Sequence, residues 1–96
     1  MFIVSLTYKV PIEIVDKHIT DHVTYLKEQY NAGHFIASGR KVPRTGGIIL
    51  SNIESIDELH NILSKDPFYI HEIAAYDITE FVPSMTSKEL EFLINK

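Results

Sequence analysis

The sequence contains no cysteine. This absence excludes disulfide bonds, thiolate nucleophiles and the cysteine-ligated zinc and iron–sulfur sites. Basic residues are also few, because nine Lys and Arg stand against 13 Asp and Glu, and the formal net charge is −4. A nucleic-acid partner is therefore not expected, since binding to a phosphate backbone needs a basic surface.

Long hydrophobic runs are missing as well. No apolar stretch approaches the roughly 18 residues that a membrane-spanning helix needs. No basic leader precedes the apolar segment that begins at Phe2. The sequence thus predicts a cytoplasmic protein with no membrane partner. Its 96 residues, of which 45% are hydrophobic, predict a single domain over 1–96 with one core.

A long amphipathic helix is predicted between Pro11 and Tyr30. Apolar side chains recur there at steps of three or four, which is the spacing of one buried helical stripe. At about 100° per residue, His22 lies at the margin of this stripe, neither fully in the core nor pointing straight out. The stripe consists of Ile12, Val15, Ile19, Val23, Leu26 and Tyr30.

Four short segments of alternating or β-branched apolar residues predict strands. A second helix is predicted from the capping box that Ser55 and Glu58 form. Asp66 followed by Pro67 has the signature of an N-cap and the first residue of a short helical turn. The predicted strands cover residues 2–8, 34–40, 48–51 and 74–82, and a short C-terminal helix is predicted after Thr86.

The predicted order is strand–helix–strand–strand–helix–strand, the pattern of ferredoxin-like βαββαβ folds. It predicts an α+β protein with an antiparallel sheet and both main helices on one face. The other face would carry Ile3, Ile49, Phe81 and either Phe35 or Ile36, and it is too apolar to be left in water. A second copy of the same sheet is the simplest cover, so a homodimer through the sheet faces is expected.

Several polar residues have two interpretations that the residues alone leave open. His18 and His22 are four positions apart, the separation of two metal ligands on one helical face. No pattern nominates a third ligand, so no metal site is predicted. Arg40, with Lys41 and Arg44, flanks the turn between strands two and three, where these side chains either orient an anionic substrate or are solvated turn charges.

Five segments in fixed order and spacing carry a family resemblance. They are Phe2–Tyr8, Asp21–Leu26, Gly33–Gly39, Gly46–Leu50 and Asp66–Phe68. With these segments the chain resembles the YCII-related (YciI-like) family of small dimeric α+β-barrel proteins. The resemblance covers nearly the whole chain, although the part after Pro83 is less typical.

The resemblance implies a ferredoxin-like subunit that dimerises into a barrel, with a cleft that holds a His–Asp pair. Carried over by motif, this pair is His22 and Asp66, and Ser38 and Gly39 lie where the family's strand approaches the same cleft. A related dechlorinating enzyme of aromatic degradation implies general acid–base chemistry. Tyr8, at the end of the first strand, is the tyrosine nominated to offer a hydroxyl to this cleft.

The His22–Asp66 pair has a definite chemical use, because a carboxylate on one ring nitrogen fixes the tautomer and raises the basicity of the other. Spacing alone equally permits a helix-edge histidine beside an aspartate that only caps the turn opened by Pro67. The expected function is a cofactor-independent elimination, isomerisation or lactone-type reaction on a small ring compound, anionic if Arg40 binds it. The alternatives are a non-catalytic metabolite-binding or accessory dimer and a structural module acting with another enzyme.

Overall fold

A computed structural model describes residues 1–94 of the protein. The predicted order of strands and helices is confirmed, and the C-terminal helix is a short 3₁₀ helix. No helix within these residues is long and apolar enough to cross a membrane. The elements are β1 (Phe2–Tyr8), α1 (Ile12–Asn31), β2 (Phe35–Arg40), β3 (Gly46–Ser51), α2 (Ile56–Leu63), α3 (Pro67–Ile70), β4 (Ala74–Glu80) and the 3₁₀ helix (Lys88–Leu93).

The four strands form one sheet in the order β2-β3-β1-β4. Every neighbouring pair is antiparallel, and β1 lies in the middle, where Phe2 is opposite Ser51 on one side and Glu80 on the other. This arrangement confirms an α+β protein of ferredoxin-like topology. It also places the C-terminal end of β1 next to the start of β3, where the candidate site lies.

The core lies between the sheet and the helices. Phe2, Val4 and Leu6 alternate along β1 and are almost fully buried, as the period of two along a strand predicts. The helices cover them with side chains that are equally buried, and burial of each such side chain contributes about 1.5–3 kcal/mol to folding. The buried helical side chains include Val15, Leu59, Ile62, Leu63 and Phe68.

The residues at the ends of the helices cap them as the sequence predicts. Gly33, just after α1, has φ of +79°, a conformation that side chains with a Cβ rarely adopt. Ser55 Oγ accepts the Glu58 N–H at 3.4 Å, and Asp66 Oδ1 accepts the Phe68 N–H at 2.9 Å. These contacts confirm the capping roles of Ser55 and Asp66.

The buried face of α1 differs from the predicted stripe. Its fully buried residues are Val15, His22 and Tyr25, so His22 belongs to the core face and not to its margin. The helix tolerates two polar groups there because the imidazole and the Tyr25 hydroxyl both have hydrogen-bond partners. Three members of the predicted stripe are instead more than a third exposed, namely Ile12, Val23 and Tyr30.

The prediction for the outer sheet face was wrong at Ile49. Ile49 lies opposite Val4 of β1, so it shares the face of Val4, and both side chains are buried in the core between sheet and helices. Of the two alternatives in β2, Phe35 is buried in this core, and the register of β2 against β3 shifts between Phe35 and Ala37. The outer face carries Ile3 with its cross-strand partner Leu50, and Phe81 lies just past β4, which ends at Glu80 and not at Val82.

Candidate active site

His22 and Asp66 meet in the core although 44 positions separate them in the sequence. His22 Nδ1 lies 2.7 Å from Asp66 Oδ1, and Asp66 is fully buried. A carboxylate only accepts hydrogen bonds, so Nδ1 carries the proton in the neutral ring and Nε2 holds the free lone pair. Nε2 makes no hydrogen bond to any residue within 1–94. The pair therefore presents a nitrogen that can take or give a proton.

The Asp66 carboxylate is held by donors from three elements. Oδ1 accepts from His22 of α1 and from the Phe68 amide at the start of α3. Oδ2 accepts the Tyr76 hydroxyl of β4 at 2.6 Å. A buried carboxylate needs several such partners, since an unpaired buried charge costs several kcal/mol. The network accordingly fixes both the position and the plane of the carboxylate.

Aromatic rings fix the orientation of the imidazole. The His22 ring lies flat on the Phe68 ring, with a centroid distance of 3.9 Å and an interplanar angle of 2°. Tyr25, one turn along α1, has its own hydroxyl anchored on the Ile62 carbonyl at 2.9 Å. A side chain held on its face and at one ring nitrogen has little rotational freedom, so the direction of Nε2 is set before any ligand arrives.

A cavity of about 180 Å³ adjoins His22. It lies between α1 and the ends of β1, β2 and β3, and its walls are mainly aliphatic and aromatic. The apolar walls include Leu6, Ile19, Val23, Leu26, Ile48 and Phe68. A mostly apolar cavity with a few polar groups is the usual form of a small-molecule site.

Four further candidates from the sequence reach this same cavity. Tyr8, Ser38, Gly39 and Arg40 line it together with His22, whereas Asp66 lies behind the His22 ring and contributes no wall. Ser38 Oγ is 2.6 Å from the hydroxyl of Tyr30, which does not itself line the cavity, so the Ser38 hydroxyl is hydrogen-bonded from outside the cavity wall. The structure thus brings these four residues together with the His22–Asp66 pair.

The basic residues of the β2–β3 turn differ in their surroundings. Arg44 Nη2 donates to Asp16 Oδ1 at 2.7 Å, and Lys41 Nζ donates to Thr7 Oγ1 at 3.1 Å. Both therefore tie the turn to the body of the protein. The Arg40 side chain lines the cavity and makes no ion pair with another residue of 1–94. Its guanidinium is therefore a cation at the cavity that is available to a ligand.

His18 lies apart from the His22–Asp66 pair. Its ring stacks on the His71 ring, with centroids 4.5 Å apart. No group of three or more His, Asp or Glu side chains suited to a metal ion occurs within the residues that the structure describes.

The buried Tyr25 and the half-buried Tyr76 keep their protons beside the carboxylate. Burial, followed by the negative charge of Asp66 and the hydrogen bond to it, raises the pKa of Tyr76 far above that of a free tyrosine. Burial and then the Asp66 charge also raise the pKa of Tyr25. The Tyr76 hydroxyl is therefore a hydrogen-bond donor throughout the range of pH in which proteins normally work.

A sequence comparison matches the model of the YCII-related domain to residues 1–82. The chain belongs to the YCII-related family. No curated protein sequence gave a significant match. The resemblance read from the sequence motifs is thereby confirmed for the family and the fold.

This YCII-related chain is also similar to a solved enzyme structure. That structure is 5-chloro-2-hydroxyhydroquinone dehydrochlorinase from Burkholderia phenoliruptrix AC1100, in complex with 2,5-dihydroxybenzoquinone. The TM-score is 0.70 at 18% sequence identity, and the match covers 84% of this chain and 93% of the other. At this identity the similarity establishes a shared fold.

Three residues at the site of the YCII-related chain were not nominated from its sequence. Phe68 supports the His22 ring, Tyr76 donates to Asp66, and Tyr30 contacts Ser38. Phe68 directly follows the Asp66-Pro67 cap, so the cap itself was a signal that its side chain lies near Asp66. Tyr76 and Tyr30 gave no such signal, because each depends on how distant segments pack.

Proposed function

We propose that this YCII-related chain is a small-molecule enzyme that uses His22 and Asp66 for cofactor-independent acid–base chemistry. The reaction class is elimination, isomerisation or a lactone-type reaction. The observation that carries this proposal is the 2.7 Å contact between His22 Nδ1 and the buried Asp66 at the wall of an apolar cavity. Such a contact fixes the ring tautomer and leaves the other ring nitrogen free, which suits the imidazole to general acid–base catalysis.

The chemistry proceeds through Nε2 of His22. In an elimination, Nε2 takes a proton from the substrate, the electrons of that bond form a new double bond, and the leaving group departs with its own electron pair. The imidazolium that forms is stabilised by the negative charge of Asp66. The proton then leaves to water, which restores the neutral ring. No step of this sequence needs a metal ion or an organic cofactor.

The size and lining of the cavity favour a single-ring substrate. An engineered cavity of about 150 Å³ lined by Leu, Ile and Phe is known to bind benzene, and the cavity beside His22 is of about 180 Å³. Arg40 can bind an anionic oxygen of the ring, and Ser38, whose hydroxyl is hydrogen-bonded to Tyr30, can bind a hydroxyl or carbonyl oxygen. These contacts favour a hydroxylated or carboxylated ring compound.

The solved dehydrochlorinase adds support of a second kind. That enzyme is a dehydrochlorinase of a chlorinated, hydroxylated ring compound, and its structure holds a dihydroxylated ring compound. A protein of the same fold thus combines a single-ring ligand with loss of a small leaving group. We infer an analogous reaction type for this chain, with its own substrate.

A turnover screen tests the proposed function. Purified protein is incubated with single-ring phenols, hydroquinones and ring carboxylates, with and without a halide leaving group, and products are followed by absorbance and mass spectrometry. Replacing His22 with alanine is expected to lower kcat/KM by about 10²–10⁴-fold, the usual contribution of a general base. The matched control is His60→Ala, because His60 is an exposed histidine of α2 that does not line the cavity.

A non-catalytic metabolite-binding protein is the second candidate. It is favoured by the Phe68 amide contact, since a cap of α3 gives Asp66 a structural role that needs no chemistry. The same screen separates the two candidates when binding is measured beside turnover. Equal turnover in the wild type and in His22→Ala, or tight binding of a ring compound with no reaction, would contradict the enzyme and support the binding protein.

We also propose that the outer sheet face is covered by a second copy of the chain. Ile3 and Leu50 lie opposite each other there and are only partly buried, and Phe81 at the sheet edge is 39% exposed. Apolar residues of adjacent strands on one face form a surface that a symmetric partner can bury. Sedimentation velocity at micromolar concentration is expected to give the mass of a dimer, and replacing Ile3 with glutamate is expected to shift it to the monomer. A wild-type protein that sediments as a monomer would contradict this assembly.

A further inference from the structure

The two oxygens of Asp66 are in different environments. Oδ1 is shared by His22 Nδ1 and the Phe68 amide, whereas Oδ2 has one donor among residues 1–94, the Tyr76 hydroxyl at 2.6 Å. Asp66 has no solvent exposure, so bulk water does not hydrogen-bond to either carboxylate oxygen. Tyr76 therefore supplies the hydrogen bond of the oxygen that faces away from His22.

We propose that Tyr76 is a positioning residue that sets the charge and the plane of the Asp66 carboxylate, and through them the proton affinity of His22. This inference rests on the proposed function, because it concerns the same pair, and it assigns to β4 a role that no sequence motif marks. Tyr76 acts through Asp66 and does not line the cavity.

The physical reason is the distribution of negative charge over the carboxylate. A hydrogen bond to Oδ2 stabilises the charged form and draws negative charge away from Oδ1. When that donor is lost, more charge remains on the oxygen that faces Nδ1, and an imidazolium beside it is held more tightly. Tyr76 thus lowers the proton affinity of His22 relative to a site without it, which keeps Nε2 ready to accept a substrate proton.

The other titratable groups around the pair leave this role to Tyr76. Tyr25 of α1 directs its hydroxyl to the Ile62 carbonyl and not to Asp66. His18, one turn before His22 on the same helix, stacks on His71 at the end of α3. From the sheet, Tyr8 of β1 and Arg40 of β2 line the cavity on the side of the ligand.

The test compares Tyr76→Phe with Tyr69→Phe in the intact chain without any substrate. Tyr69 of α3 is the matched control, because its ring packs edge-on against the Tyr76 ring at 5.6 Å and its hydroxyl donates to no residue of 1–94. The readout is the pH midpoint of the His22 Cε1–H resonance in NMR, assigned by its loss in His22→Gln. Tyr76→Phe is expected to raise this midpoint by about 0.5–1 pH unit, and Tyr69→Phe to leave it in place.

A second variant is expected to preserve the fold and to shift the His22 midpoint in the opposite direction. Incorporation of 3-fluorotyrosine at position 76 retains the ring and the hydroxyl but makes the hydroxyl a stronger donor, so the His22 midpoint is expected to fall. One contrary result is that Tyr76→Phe lowers the urea midpoint of unfolding and leaves the His22 midpoint fixed, and another is that fluorination leaves the His22 midpoint fixed. Either result would show that Tyr76 is only structural and would overturn the inference.

The outcome is distinguishable from failure of the proposed function. A shifted His22 titration in a protein that turns over no compound would uphold the coupling of Tyr76 to the pair and reject the enzyme. Where turnover is found, the pH at which kcat/KM falls on the acidic side is expected to move upward in Tyr76→Phe together with the NMR midpoint. An acidic limb that stays in place would overturn the positioning role.

Discussion

Replacement of Asp66 by asparagine is expected to lower kcat/KM by about 10²–10⁴-fold while the protein stays folded. The amide oxygen can still accept from His22 and the Phe68 amide, and the amide NH₂ can donate to the Tyr76 oxygen, since a hydroxyl also accepts hydrogen bonds. The geometry survives, but the negative charge that stabilises the imidazolium is lost. The expected loss is therefore electrostatic, and it appears in the chemical step.

The control for this substitution is Asp57→Asn. Asp57 lies exposed in the first turn of α2, so the same change of charge there affects neither the pair nor the cavity. Turnover of Asp57→Asn is expected to match the wild type. Full turnover in Asp66→Asn, with circular dichroism and unfolding midpoint unchanged, would show that Asp66 only caps α3.

The largest expected effect on stability comes from Gly46→Ala. Gly46 begins β3, is buried and lies opposite Thr7 of β1. A Cβ built on it would overlap the backbone carbonyl oxygen of Leu6 and lie at 3.0 Å from the Thr7 Cα. No side-chain rotation relieves a clash with backbone, so the two strands must move apart. We expect a loss of about 3 kcal/mol or more.

Such a loss corresponds to a fall in Tm of about 12 °C or more for a domain of this size. The control is Gly39→Ala on the neighbouring strand, where an added Cβ meets no atom within 4 Å. Both substitutions restrict the unfolded chain equally, so their difference in urea unfolding isolates the clash. Equal midpoints for the two variants would contradict the close approach of β1 and β3 at Gly46.

The His–Asp site illustrates which contacts a sequence can predict. The helical period placed His22 near a buried face, and the family resemblance supplied Asp66 as its partner. The hydrogen bond from Tyr76 could not be predicted from the sequence, because it depends on the register of β4 against β1, where Tyr76 lies opposite Leu6. Such registers are set by tertiary packing and not by local patterns.

The error in predicting which residues of α1 are buried has a related cause. Periodicity ranks residues by apolarity, so it favoured Ile12 and Val23 over His22 and Tyr25 for the core. In the structure both polar residues are buried because Asp66 and the Ile62 carbonyl satisfy them. A buried histidine with a carboxylate partner is thus an exception to hydrophobic periodicity, and such exceptions are expected at functional sites.

The register shift of β2 against β3 shows a second limit of prediction from the sequence. A glycine inside a strand often marks a bulge, and β2 contains Gly39, yet the register shift lies between Phe35 and Ala37. Neither residue is typical of a bulge, so local composition carried no signal there. The shift brings Phe35 into the core against Tyr25 and Tyr30, and it leaves Ser38 on the cavity side.

The tautomer of His22 tests the central claim most directly. Long-range ¹H–¹⁵N NMR of the ring, recorded on the wild type at a pH where His22 is neutral, distinguishes a protonated from an unprotonated nitrogen. The His22–Asp66 contact predicts that Nδ1 carries the proton and that Nε2 is unprotonated. A ring protonated at Nε2, or one that populates both forms equally, would contradict the account of His22 as a base oriented by Asp66.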